Sequence, residues 1–183
     1  ESRNGLRIIA ALTMSKIGDG LIDPKLVLSW LLTALGAPAY FIGALVPIRE
    51  AGALLPQLVL AGRLGRMKQR KWMWVAGSAV QGIAALVIAL SGLVLDGWLA
   101  GLAVCAALAV LAIARSACSV SFKEVLGKSV SKHRRGAVTG FAGSTASAAV
   151  VVFALLLIFG VLTSQTAVVA AIALAGALWG AAA

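Results

Sequence analysis

Basic residues in this chain are confined to alternate gaps between long apolar segments. Lys and Arg concentrate near the amino terminus and in two internal segments, 63–71 and 123–135. The intervening gaps, around 47–50, 96–97 and 163–165, are short and nearly free of basic side chains. Such alternation is what the positive-inside rule produces in a chain that crosses a membrane several times as helices. The pattern predicts an all-α membrane protein whose basic gaps lie on the cytoplasmic side.

The composition also separates this chain from soluble proteins. Of its 183 residues, 61% are hydrophobic and 12% are charged, whereas about a quarter of the residues in a soluble domain are charged. The net charge of +10 does not indicate nucleic acid as a partner, because the basic residues form short caps between apolar spans and not one solvated face. Membrane lipids are the partners that such caps favour.

The first 25 residues are apolar only in short runs and are expected to form a separate segment. Arg7 interrupts the run 6–12, which is too short to cross a bilayer, and polar residues follow it. Residues 1–25 are therefore predicted to lie as an amphipathic segment at the cytoplasmic interface. Lys16 and Asp19 are interpreted as capping residues of that segment.

The rest of the chain, 26–183, is predicted to be a six-helix transmembrane bundle. Asp23 before Pro24 is typical of a helix start, since Asp caps free N–H groups and Pro suits the first helical position. About 20 apolar residues cross the hydrocarbon core, and six spans are predicted at about 26–46, 49–64, 72–95, 98–122, 136–162 and 166–183. Gly36 and Pro38 predict a kink in the first span. The second is short, but it must cross if both internal basic gaps are to share one side. Six crossings place both termini in the cytoplasm.

No catalytic, metal or cofactor site is expected. His133 is the only histidine and lies in a basic gap, without an acidic partner at motif spacing. Cys105 and Cys118 are thirteen residues apart on one predicted helix, a separation of about 20 Å that prevents a disulfide. The sequence also lacks the Gly-rich loop ending in Lys-Ser/Thr that binds nucleotide phosphates. We therefore expect neither an enzyme nor an ATPase.

Arg115 is the sharpest candidate for a solute or ion pathway. It lies eight residues before Lys123, which places it about 12 Å inside the cytoplasmic end of its span. An arginine inside a membrane is costly and is usually paired or in contact with water. The alternative interpretation is a side chain that extends to the cytoplasmic headgroups.

Four other polar residues in the predicted spans are pathway candidates. Glu50 and Gln57 are seven residues apart and share a helix face, so they could line a polar path with Glu50 as a proton-coupling carboxylate. The alternative is an interfacial charge at the mouth of a short helix. Arg49 is adjacent to Glu50 and therefore points to a different face. Gln81 is interpreted either as a pathway residue or as a hydrogen-bonding link between helices.

Small residues at spacings of three and four predict helix-packing faces, because they let helix backbones approach closely. In the fifth span they are Gly140, Gly143, Ser144 and Ser147. In the third span they are Ser78, Gly82 and Ala85. Packing is the default interpretation, and the lining of a solute path is the alternative.

Two stretches resemble bacterial members of the major facilitator superfamily of transporters. Residues 43–66, GALVPIREAGALLPQLVLAGRLGR, resemble the junction of that family's first two helices. Residues 114–140, ARSACSVSFKEVLGKSVSKHRRGAVTG, resemble its fourth helix, the next loop and the start of the fifth. In the family's gating-loop signature, G-x-x-x-D-R/K-x-G-R/K, Gly62 and Arg70 match, whereas Arg66 stands in place of the acid. That departure places the family's charge-relay gate in doubt.

The resemblance implies a function as well as a fold. It implies that this chain is the amino-terminal six-helix half of a secondary active transporter, which moves a small solute across the bacterial inner membrane. Members of the superfamily bind substrate at the midplane between two six-helix halves. A second half would then belong to the same longer chain or to a second copy in a homodimer. The alternative is a non-transporting subunit or assembly factor that binds other subunits of a larger membrane complex.

Overall fold

The computed structural model of the protein describes residues 2–64, 71–129, 132–159 and 164–183. All of the regular elements among these residues are helices. The elements are α1 (Ser2–Leu21), a π-helical segment (Pro24–Leu28), α2 (Ser29–Ala34), α3 (Ala39–Leu64), α4 (Lys71–Val94), α5 (Gly97–Ser129), α6 (Lys132–Ile158) and α7 (Gln165–Ala182). The all-α class predicted from the sequence is confirmed for these residues.

Four of the described helices are long and apolar enough to cross a membrane. Their qualifying segments are Trp72–Val94, Gly97–Phe122, Arg135–Leu157 and Gln165–Ala182. They overlap the last four predicted spans, because each contains a mostly apolar run of at least 18 residues. Their length and composition are consistent with a multi-pass helical membrane protein.

The first two predicted spans are divided differently in the structure. The segment 26–46 is not one kinked helix, because α2 ends at Ala34 and α3 begins at Ala39. Gly36 between them has a φ of +67°, a left-handed conformation that glycine adopts readily and that ends a helix. The expected break near residue 47 does not occur, since α3 contains Pro47 and Pro56. Proline is tolerated in membrane helices when neighbouring groups satisfy the freed carbonyls.

The π-helical segment begins where the sequence predicted a helix start. The Asp23 carboxylate accepts hydrogen bonds from the backbone N–H groups of Lys25 and Leu26, at 2.9 and 3.0 Å. Pro24 occupies the first helical position. These bonds satisfy N–H groups that have no partner within the helix, and Asp23–Pro24 thus separates α1 from the segment that continues into α2.

α1 belongs to the bundle, where it packs between α6 and α7. Trp179 of α7 is completely buried, and its indole N–H donates to the Ser15 hydroxyl of α1 at 3.3 Å. The sequence placed this segment at the membrane interface because charged residues interrupt its apolar run. In the structure, one face of α1 packs in the bundle and places Asp19 inside it, whereas Arg7 is exposed.

The helices form a series of neighbours in the order α3, α5, α4, α7, α1 and α6. The central contact between α4 and α7 depends on two glycines, since a Cβ atom at Gly82 would lie 3.0 Å from the Gly176 carbonyl oxygen. Ser78, Gly82 and Ala85 are all buried, as expected for a packing face. By contrast, α1 and α6 each make few contacts with α5. That weakly packed region borders the candidate site.

Candidate functional site

Asp19 forms ion pairs with two arginines from different helices. Its Oδ1 lies 3.3 Å from Nη2 of Arg49 on α3, and its Oδ2 pairs with Nη1 of Arg115 on α5. The side chains of Asp19 and Arg49 are 14% and 15% exposed, and that of Arg115 is 34% exposed. These three residues, which we call the ion cluster, link α1, α3 and α5.

The ion cluster contains two positive charges and one negative charge. Arg49 Nη1 is buried and has no hydrogen-bond partner among the described residues. The adjacent Glu50 is exposed and forms no ion pair with a described residue, and like Asp23 it acts on Arg49 only through longer-range electrostatic attraction. The three ion-paired side chains therefore carry one net positive charge, which Asp23 and Glu50 offset only from a longer distance. Charges inside an apolar bundle are costly.

Helical spacing explains how the sequence brings these groups together. On α1, Leu12, Ser15 and Asp19 are separated by three and four residues and lie on one face. On α5, Arg115 and Phe122 are seven residues apart and also share a face. The two polar faces meet where the contact between α1 and α5 is sparse.

A cavity of about 330 Å³ lies beside Arg115, between α1, α4, α5 and α6. Its polar lining consists of the cations Lys16 and Arg115, the thiol of Cys118, and the hydroxyls of Ser15, Ser119 and Thr139. Its apolar lining consists of Leu12, Trp74, Phe122 and Leu126. Cavities of roughly 300–1,000 Å³ with a few convergent polar groups in an apolar wall are typical of small-molecule sites.

The wall formed by α4 and α5 is held by a buried polar contact. Gln81 is completely buried, and its amide nitrogen donates to the Gly77 carbonyl at 3.3 Å and to Cys118 Sγ at 3.2 Å. The Cys118 thiol in turn donates to the Trp74 carbonyl at 3.6 Å. Gln81 thus links the two helices behind the cavity and is not part of its lining.

The other predicted site residues are spread over the structure. The gating-loop candidates Arg66 and Arg70 lie outside the described residues, as do the side-chain surroundings of Gln57 and Gly62 in α3. On α6, Gly143 approaches Lys16, whose Nζ would lie 3.2 Å from a Cβ atom at that glycine. The remaining three packing candidates on α6 are exposed: Gly140, Ser144 and Ser147.

Lys16, which lines the cavity, and Asp19, which belongs to the ion cluster, were not predicted to be functional-site residues. The sequence does contain a signal, because both charges fall on one face of a 20-residue helix and Asp19 is the only acid between Glu1 and Asp23. A metal site is not indicated, since no group of three His, Cys, Asp or Glu side chains with suitable placement occurs in the described part of the chain. Comparison of the chain with protein-family models, curated proteins and solved structures finds no match.

Proposed function

We propose that this protein is a secondary active transporter of the major facilitator type, of which the chain supplies one six-helix half. It would move a small solute across the bacterial inner membrane, with a path that includes the cavity. The observation that supports the proposal is the ion cluster beside a polar-lined cavity, in a bundle that includes four span-length apolar helices. Ionisable residues inside membrane segments are rare and mark solute or ion pathways.

The ion cluster is not expected to stabilise the fold more than apolar side chains at the same positions would. Well-packed apolar residues often stabilise a protein as much as a buried ion pair or more, because the charges lose their hydration. Here the two arginines and one aspartate leave a cationic nitrogen unpartnered among the described residues. A function in solute binding would explain why charges occupy this position.

Arg115 would couple the solute site to the packing of the bundle. It pairs with Asp19 and also lines the cavity, so one side chain contacts both the solute position and α1. The α1–α5 region has few other contacts. Solute that changes the Arg115–Asp19 pair would therefore change the link between these helices, as alternating access requires.

Uptake by proteoliposomes tests transport without assuming a substrate. Vesicles containing the protein would be incubated with a ¹³C-labelled extract of small metabolites, and retained solutes would be identified by mass spectrometry. We expect at least one solute to be retained above the level of protein-free vesicles. Arg115→Gln should reduce that retention at least tenfold, which corresponds to about 1.4 kcal/mol, because the cavity loses a cation.

Two variants control for charge and folding. Arg115→Lys keeps the positive charge and is expected to retain part of the uptake, whereas Lys25→Gln removes an exposed cation of the π-helical segment and should transport like the parent. If vesicles with the parent protein retain no more labelled solute than protein-free vesicles, the transport proposal is contradicted. Equal uptake by the parent and Arg115→Gln would exclude the ion cluster from the path.

A second candidate function is that of a non-transporting membrane subunit. It is favoured by α6, because only 17% of an 18-residue window within its Arg135–Leu157 segment is buried. Such a face could pack against another membrane subunit as well as against lipid. Purification in mild detergent would support this candidate if unrelated subunits copurify at fixed stoichiometry and no solute is retained in the vesicle experiment.

A further inference from the structure

We infer that the cavity binds an organic anion with a flat apolar body, held by Lys16 and Arg115. The inference rests on the proposed transport function and assigns the chemical class of the solute. Three features of the cavity wall support it: the cationic side chains, the hydroxyl groups and the aromatic side chains.

The charges favour an anion over a neutral or cationic solute. Lys16 lines the cavity and forms no hydrogen bond or ion pair with a described residue. The residues that line the cavity include two cations, Lys16 and Arg115, and no carboxylate, and Asp19 pairs with Arg115 beside it. A carboxylate in the cavity would reduce this excess and form charge-assisted hydrogen bonds with Lys16 and Arg115. A cationic solute would add to the repulsion.

The hydroxyl groups provide further donors for an anion. Ser15 Oγ accepts a hydrogen bond from the Trp179 indole N–H at 3.3 Å, so its own hydroxyl hydrogen is available to an acceptor in the cavity. Ser119 lies on the opposite wall, four residues after Arg115 and on the same face of α5. Donors from α1 and α5 therefore face the same space.

The apolar wall fits a flat body better than a sugar. The Trp74 and Phe122 rings pack edge to face, with centroids 5.1 Å apart and an interplanar angle of 73°. Both rings line the cavity together with Leu12 and Leu126. Aromatic surfaces of this kind bind planar apolar groups, whereas a polyhydroxylated solute would leave hydroxyls without partners against them.

Calorimetric titration with two probes of nearly equal shape tests the inference. The purified full chain in detergent would be titrated with naphthalene-2-carboxylate and, separately, with the uncharged naphthalene-2-carboxamide. We expect one carboxylate to bind per chain, and the amide to bind at least about tenfold more weakly because it forms no charge-assisted bonds. Lys16→Met should weaken carboxylate binding about tenfold or more and leave amide binding unchanged.

Lys25→Met is the matched control, since it removes an exposed lysine outside the cavity, and it should bind like the parent. Lys16→Arg keeps the charge and should retain binding, and Lys16→Gln is a second neutral variant if Lys16→Met does not fold. Equal affinity for the two probes, no carboxylate binding, or unchanged affinity in a folded neutral Lys16 variant would overturn the inference. Transport of a labelled solute without carboxylate binding would leave the transport function standing. Lys16-dependent binding without any transport would instead reject that function.

Discussion

Asp19→Asn is expected to lower the free energy of unfolding by about 3 kcal/mol, which is the lower end of the cost of breaking a buried ion pair. Asn has nearly the same shape as Asp, so packing around α1 should be preserved. The substitution leaves Arg49 and Arg115 without the carboxylate that pairs with both of them. Unfolding by increasing mole fraction of a denaturing detergent, followed by circular dichroism, would measure the change.

The same substitution at Asp96 controls for the loss of a carboxylate in general. Asp96 is exposed between α4 and α5, and Asp96→Asn should change stability by less than about 0.5 kcal/mol. The double variant Asp19→Asn with Arg49→Met should recover part of the loss, because it removes one of the two uncompensated charges. Equal stability of Asp19→Asn and the parent would show that the carboxylate does not hold the ion cluster together.

Gly176→Leu is expected to destabilise the bundle by about 2 kcal/mol or more, at the upper part of the usual cost of overpacking a core. A Cβ atom at Gly176 would lie 3.0 Å from the Gly82 carbonyl oxygen and 3.3 Å from Ala85 Cβ. The helix α4 would therefore have to move away from α7. Thermal unfolding in detergent, monitored through loss of soluble monodisperse protein, would report the loss of stability.

Gly180→Leu is the matched control on the same helix. It lies one turn after Gly176, and a Cβ atom there would meet no heavy atom within 4 Å. Both substitutions introduce the same side chain and the same gain in helix propensity, so the difference between them isolates the contact with α4. Equal unfolding temperatures for the two variants would contradict the close approach of α4 and α7.

Hydropathy was sufficient to locate the four span-length helices, because each contains a long apolar run. It could not locate the break between α2 and α3, since Gly36 and its neighbours are as apolar as the helices around them. The break depends on a backbone conformation at Gly36. The gap around 47–50 in turn predicted a break where α3 continues. Local sequence therefore predicted the four later apolar helices better than the helix ends in the first third of the chain.

The candidate site shows the same division between local and long-range information. The adjacency of Arg49 and Glu50 predicted different faces, and in the structure Arg49 is partly buried in the ion cluster whereas Glu50 is exposed. Arg115 was singled out because a charge inside an apolar span is rare. Its partner Asp19 was not identified, since it lies 96 positions earlier (115 − 19) in a segment whose charges suggested the membrane surface. Only the packing of α1 against α6 and α7 brings it inside.

Chemical modification of Cys118 tests most directly the central claim that a positively charged aqueous cavity lies within the apolar bundle. Cys118 lines the cavity, and Cys105, which is buried against the Phe41 carbonyl, would be removed as Cys105→Ala. The folded protein would be treated with an anionic and a cationic methanethiosulfonate reagent, each rate being normalised to that with a small free thiol. The account predicts faster modification by the anionic reagent and a smaller preference in Lys16→Met. Protection from both reagents until the protein is unfolded, or faster modification by the cationic reagent, would contradict it.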